Sequence, residues 1–403
     1  MNRMLLAPFP LHGHVSPMAA LAAELTDRGH EVTVAVCPPF AETFRAAGCE
    51  VTEVAIHPRA GAGTPPPARG FAASARAARE ARRRTADERG RLAARLAEEI
   101  GRTRPHVVVA DAMAPWGADA ARSTGTRCAS MCATYALNEE VILADVARRA
   151  APWTVRLLRR SRLLRRHPAV RDPAARAGLV LVNSIPELQP EQASFGDRYR
   201  FVGPLRPAVG RGGGFGAADD SGELPWDRIE KGPTLYVSTG TFSTRGAEFF
   251  TTVAEAFAGT EWCVVLATSH TDPAELGELP ENVTARRYVP QTAVLEHADV
   301  FLTHAGMNSA LEALVLGVPM ALVPSFWDQR TIAARLVTMG AGVAVDPAAP
   351  AAELRETITG LAADPGVRTA LTALSAGTAR TDGPACAVRE LEKYAAWGRA
   401  GRR

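Results

Sequence analysis

Between residues 304 and 329 the chain gathers side chains suited to a phosphorylated, hydroxyl-rich ligand. His304-Ala305-Gly306-Met307-Asn308-Ser309 is followed by Glu312 and then by Asp328-Gln329. Gly306 has no Cβ, so the backbone there can come close to a bulky anion. His304 and Ser309 add side-chain donors, and Glu312 can accept hydrogen bonds from a diol such as ribose. Asp328 and Gln329 can bind further hydroxyls. The ligand these residues imply is a nucleotide diphosphate carrying a polyhydroxylated group. The H-A-G-x-N-S string alone describes equally well an ordinary turn with an incidental His and a capping Ser. The ordered set HxGxxS, LEA, GVP, a strand and then DQ is what discriminates.

Such residues need elements to hold them. Residues 300–303 are a short β-prone apolar run, the length of a buried strand. The turn feeds a helix for which Asn308 or Ser309 serves as N-cap, with Glu312 in the first turn, where an acid is favoured. Gly317 and Pro319 stop that helix. Residues 320–323 form the next strand, and a polar loop carries Asp328-Gln329. A turn entering a helix after a parallel strand presents unpaired N–H groups and the positive end of the helix dipole, a natural phosphate site. A second turn of small residues, Ser238 to Ser243, follows a strand at 234–237. Thr241 is its expected hydroxyl donor to the same phosphates, ahead of a helix at 245–257.

The N-terminal half offers a different chemistry. A strand at 4–7, a loop, a helix capped by Ser16 with Pro17 first, and a strand at 31–36 make a right-handed βαβ start. His14 lies just before that helix, at the strand edge where open α/β sheets bind ligands. An imidazole is the side chain best suited to take a proton near neutral pH. A lone loop His more often caps or packs, and His12 stands two residues away as a rival. Asp111 ends a strand at 106–110. From there it can orient an imidazole, as a carboxylate does in other His-based relays, or cap the helix at 112–122.

The 403 residues are too many for one ordinary core, so two domains are expected. An apolar content of 47% with 22% charge fits a soluble globular chain. A net charge of +3 gives no argument for nucleic acid. Met1 leads directly into a strand without the ordered regions of a secretion signal, so a cytoplasmic location is expected. No apolar run is long enough to span a membrane. The six scattered cysteines (Cys37, Cys49, Cys128, Cys132, Cys263 and Cys386) read as buried thiols rather than disulfides or a zinc site. Nearly every basic residue is Arg, only Lys231 and Lys393 being Lys, which points to codon bias. Arg-rich patches are therefore discounted. That applies to the long helix at 76–104 and to residues 146–176, read as a mobile basic surface helix, with an amphipathic helix lying on a membrane or docking an acidic carrier protein as the alternatives. Residues 57–76 read as a mobile loop and residues 206–223 as a Gly-rich linker.

Taken together, these motifs resemble family 1 glycosyltransferases of the GT-B fold, especially bacterial enzymes that glycosylate antibiotics and other natural products. The resemblance covers nearly the whole chain and is strongest from 234 to 346. It implies an α/β protein of two facing Rossmann-like domains with parallel sheets: residues 1–206 for the acceptor, a linker at 207–222, residues 223–380 for the nucleotide sugar, and a C-terminal helix at 381–403 crossing back to the first domain. The family motif places the acceptor-activating base directly after Gly, which selects His14, with Asp111 as its partner; that pairing should raise the His pKa. The segment Tyr288-Val289-Pro290-Gln291 matches the part that holds the nucleobase, with Tyr288 near the place of a stacking Trp. Uracil or thymine is left open.

The activity implied is an inverting transfer from a dTDP- or UDP-sugar to a hydroxyl of a small molecule, without metal or other cofactor. The donor contacts are Thr241, Tyr288, Val289, Gln291, His304, Gly306, Asn308, Ser309, Glu312, Asp328 and Gln329. Partners are the acceptor and the nucleotide sugar, with no nucleic acid and no stable membrane insertion, and a homodimer is left open. A nucleotide-sugar epimerase, a lipid-linked precursor transferase or a non-catalytic auxiliary of the same fold are the alternatives.

Overall fold

The computed structural model describes residues 1–56, 71–161, 177–206, 224–240, 245–379 and 382–400. They divide into two compact units, Met1–Val209 with Asp382–Arg403, and Gly210–Thr381.

The first unit is built on seven parallel strands: β1 Arg3–Ala7, β2 Glu31–Val36, β3 Glu50–Glu53, β4 Val107–Asp111, β5 Arg127–Cys132, β6 Leu179–Val182 and β7 Tyr199–Phe201. Their order is β3-β2-β1-β4-β5-β6-β7. The chain lays down β1, moves outward to β3, then returns to the other side of β1 with β4. Helices connect parallel strands and cover both faces of the sheet. The central strands are therefore continuous apolar runs, and every residue of β4 is buried. Where the winding reverses, the loops leaving β1 and β4 diverge and open a crevice at the carboxyl edge. In the register of that pair Ala7 stands opposite Ala110.

The second unit repeats the plan with six parallel strands: β8 Thr234–Ser238, β9 Cys263–Ala267, β10 Val283–Arg286, β11 Val300–Thr303, β12 Met320–Leu322 and β13 Gly342–Ala344. The order β10-β9-β8-β11-β12-β13 places its reversal between β8 and β11, with Ser238 opposite Thr303. Tyr236 and Phe301 stack beneath that edge, 5.0 Å between ring centroids.

The last helix, Gly383–Ala400, follows the second unit in sequence but belongs to the first, packing on the helix His12–Asp27 and on β6. Tyr394 donates to the Cys128 carbonyl at 3.2 Å, and its ring fills the space that a Cβ on Gly178 would need. Glu390 pairs with Arg200 at 2.9 Å and Glu392 with His30 at 3.0 Å.

Several boundaries differ from the sequence reading. The long helix runs Phe71–Thr103, so residues 71–75 are helical. The rest of the expected loop, 57–70, lies outside the described residues. The basic stretch contains two helices, Glu139–Arg149 and Pro152–Ser161, separated where Ala150 turns extended and Pro152 restarts the chain. Residues 162–176 and 207–223 lie outside the described residues. All six cysteines are free, and burial pushes the Cys49 thiol up to about 12 and Cys128 to about 11. Among the described residues no helix is long and apolar enough to cross a membrane.

Candidate active site

In the first unit the crevice between β1 and β4 holds His14 and Asp111. The helix after β1 begins at His12, earlier than expected, with Leu11 extended as its N-cap and no capping side chain. The Leu11 carbonyl accepts from both His14 and Val15 N–H at 2.9 Å. Ser16 is thus not the cap, Pro17 lies inside the helix, and His14 sits in the first turn rather than in the loop. This geometry aims the imidazole at Asp111, the last residue of β4.

His14 Nδ1 lies 2.8 Å from Asp111 Oδ2, and Asp111 Oδ1 accepts from the Met113 N–H at 2.8 Å. The carboxylate is wholly buried and the imidazole keeps 12% of its surface exposed. Asp111 does not cap the next helix, Pro115–Ser123, whose N-cap is Ala114. An ionised carboxylate can only accept, so Nδ1 carries the hydrogen and Nε2 is left as the basic nitrogen. Phe9 meets the His14 ring edge-on at 5.5 Å and in turn touches Trp116 at 6.0 Å. His12 is seated edge-on against Phe40.

In the second unit the crevice lies between β8 and β11. His304 follows β11, and Ala305 then takes a left-handed backbone with φ 61°. A β-carbon is disfavoured there, so the fully buried Ala305 stores strain at the turn. Gly306 is the N-cap of the helix Met307–Leu316, which ends at a left-handed Gly317. Asn308 and Ser309 are therefore not caps but occupy the first turn, and Glu312 falls in the second.

The His304 ring is confined between two glycines. A Cβ on Gly240 would lie 2.5 Å from Nε2, and one on Gly306 would overlap the same atom. His304 Nδ1 is buried and has no partner among the described residues. Burial is the main cause that lowers its pKa to about 4; the Ser238 backbone opposes this and the Arg245 charge adds to it. The ring is neutral near pH 7.

An unfolded His titrates near 6.5. The contribution of neutral His304 to stability is thus complete above about pH 6.5 and is lost as pH falls towards 4. Denaturant midpoints at pH 7 and 4.5 should show wild type losing on the order of 2–3 kcal/mol more than His304→Gln over that window. Equal losses would refute the buried neutral ring.

Around the helix Met307–Leu316 a polar cluster forms. Gln291 Nε2 donates to Glu312 Oε2 at 2.8 Å and to Ser309 Oγ at 3.3 Å. Thr292 Oγ1 reaches Glu312 Oε2 at 3.4 Å, and Tyr236 OH reaches Gln291 Oε1 at 3.5 Å. Tyr288 and Val289 are half-buried in the segment between β10 and the helix Gln291–Leu295.

Asp328 and Gln329 were expected on a loop, but they occupy the first turn of the helix Trp327–Thr338. Gln329 is buried, and its Oε1 accepts from the Ser325 and Phe326 N–H groups at 2.8 and 3.2 Å. That carbonyl is committed to shaping the loop. Thr241 lies outside the described residues. The sequence reading missed Gly240, Tyr236, Thr292 and Arg245. Gly240 stood in a turn already singled out, and Arg245 was hidden by the general excess of Arg. No three His, Cys, Asp or Glu side chains gather as a metal cluster among the described residues.

Comparison with known proteins identifies the family. Residues 224–376 match the family described as UDP-glucoronosyl and UDP-glucosyl transferase. The NDP-glycosyltransferase YjiC of Bacillus licheniformis is 29% identical over 96% of both chains. The oleandomycin glycosyltransferase of Streptomyces antibioticus is 31% identical, over 94% of this chain and 88% of that protein. The crystal structure of CalG4, the calicheamicin glycosyltransferase, superposes with a TM-score of 0.74 at 30% identity, over 98% of each chain. Two parallel-sheet Rossmann-like units, a strand-edge His–Asp pair and likeness over almost the full chain at this identity lead to one assignment: the chain belongs to the family of UDP-glucoronosyl and UDP-glucosyl transferases, and is a glycosyltransferase of the GT-B fold.

Proposed function

We propose that this enzyme moves a sugar from dTDP or UDP to a hydroxyl of an apolar natural product of the antibiotic class, in the cytoplasm, with inversion and without a metal. The observation that carries the reading is the pairing of His14 Nδ1 with buried Asp111, which turns Nε2 into a base at the β1/β4 crevice. Met113, two residues after Asp111, is exposed, while buried Phe9, packed on Trp116, backs the His14 ring; that apolar setting suits a hydrophobic aglycone. The oleandomycin and calicheamicin enzymes support the acceptor class by their names.

In the transfer the acceptor oxygen bonds to the anomeric carbon and its proton passes to His14 Nε2. The bond from that carbon to the phosphate oxygen breaks, and the electron pair leaves with the diphosphate. The amides of the Met307–Leu316 helix, with His304, Asn308 and Ser309, stabilise the departing charge. Gln291 and Tyr288 hold the base, Glu312 the ribose, and Asp328 the sugar hydroxyls.

A thermal-shift screen of dTDP, UDP and GDP tests the donor reading, because a ligand of the folded state raises its apparent stability by RT ln(1 + [L]/Kd). At 100-fold excess over Kd, dTDP or UDP should stabilise by about 2.7 kcal/mol. No shift with any of the three would remove the nucleotide-sugar donor.

A further inference from the structure

The residues assigned to the donor half leave a diphosphate without a cation. His304 is held neutral, Asn308, Ser309 and Gln291 carry no charge, and Glu312 and Asp328 are anionic. An anionic ligand set beside these carboxylates needs a positive partner.

Arg245 stands at that edge. Its Nη2 donates to the Val323 carbonyl at 2.8 Å, and the Val323 N–H bonds the carbonyl of Thr303, the residue before His304. The guanidinium lies over the Phe249 ring at 5.4 Å, and Thr271 Oγ1 fixes the Arg245 carbonyl at 2.9 Å. Arg89, Arg200 and Arg287 each pair with a carboxylate, whereas Arg245 has no ion pair among the described residues. Its Nε is buried and without a hydrogen-bond partner among those residues, the same condition as His304 Nδ1. Two nitrogens without a partner among the described residues thus occur at one sheet edge, one on neutral His304 and one on a cation with no ion pair among those residues. A donor buried in that state costs stability and persists where a ligand completes it.

We propose that Arg245 is a contact of the donor's diphosphate, supplying the positive charge that stabilises it as it leaves; this rests on the donor reading above. Guanidinium suits phosphate oxygens through its planar donors, and fixing Nη2 on Val323 orients the fork before the ligand arrives.

The test is calorimetry in chelator with dTDP, UDP and the matching nucleosides, on wild type, Arg245→Met and Arg245→Lys. Arg245→Met should weaken the preferred diphosphate by about 10- to 100-fold and leave nucleoside affinity within twofold. Arg245→Lys should recover part of the loss. The ligand-free thermal midpoint of Arg245→Met should hold or rise, because an uncompensated buried donor is gone. Diphosphate affinity within twofold of wild type in both variants would overturn the proposal. So would a requirement for a divalent cation in wild type, which would make the metal the source of charge. Wild type binding neither diphosphate would instead defeat the donor reading itself, whatever Arg245 does.

Discussion

Replacing His14 with Ala is expected to lower kcat by about 10²–10⁴-fold, the range for a positioned general base, while the affinity for dTDP or UDP stays within twofold. The two effects separate because His14 belongs to the first unit and the nucleotide residues to the second. Ala is a good helix former in the first turn, so the His12–Asp27 helix should persist. Asp111 would keep only its bond from the Met113 N–H. Paired turnover and calorimetry on one preparation check this. Turnover at the wild-type rate would remove His14 from the chemistry, and a parallel loss of nucleotide binding would point to general misfolding.

Asp111→Asn should be nearly as damaging, about 10²–10⁴-fold in kcat, for a reason specific to this geometry. The Asn oxygen would accept from the Met113 N–H, as Oδ1 of Asp111 does now. Its amide nitrogen would then face His14 Nδ1 and donate to it. That moves the imidazole hydrogen to Nε2 and abolishes the base without displacing the ring. In a Ser–His–Asp triad the same substitution costs about 10⁴-fold by the wrong tautomer. Asp111→Ala leaves the tautomer unconstrained, so it should lose no more than Asp111→Asn. Steady-state rates of the two variants side by side decide the matter. An Asn variant as active as wild type would reduce Asp111 to a packing residue.

Much of this was legible in the residues. Apolar runs of four to six residues between helix-length segments gave the strands, and β2 and β11 fall where composition placed them. The carboxyl edges followed from the parallel order, and Asp111 and His304 stand at those edges. The helix starts were read less well. Ser16, Asn308 and Ser309 are good capping residues by type, yet the helices begin at His12 and Met307. Backbone groups of Leu11 and Gly306 start them, and side-chain propensity does not register backbone capping. Gln329 shows the reverse case: a side chain read as a ligand contact spends its oxygen on two loop amides. Choosing His14 over His12 needed the family resemblance, because a two-residue difference in a loop carries no periodic signal. Arg245 was lost among many arginines, and its buried Nε without a partner among the described residues is what sets it apart.

The proposed chemistry is a single direct displacement, with an imidazole taking the acceptor proton while a diphosphate leaves. The anomeric configuration of the product tests it most directly. An α-linked nucleotide sugar would be incubated with a panel of hydroxyl-bearing apolar acceptors, and the glycoside's anomeric coupling read by proton NMR. A β-linked product is expected. An α-linked product would contradict it, because retention requires a second displacement or a front-face path for which a base paired to Asp111 has no part.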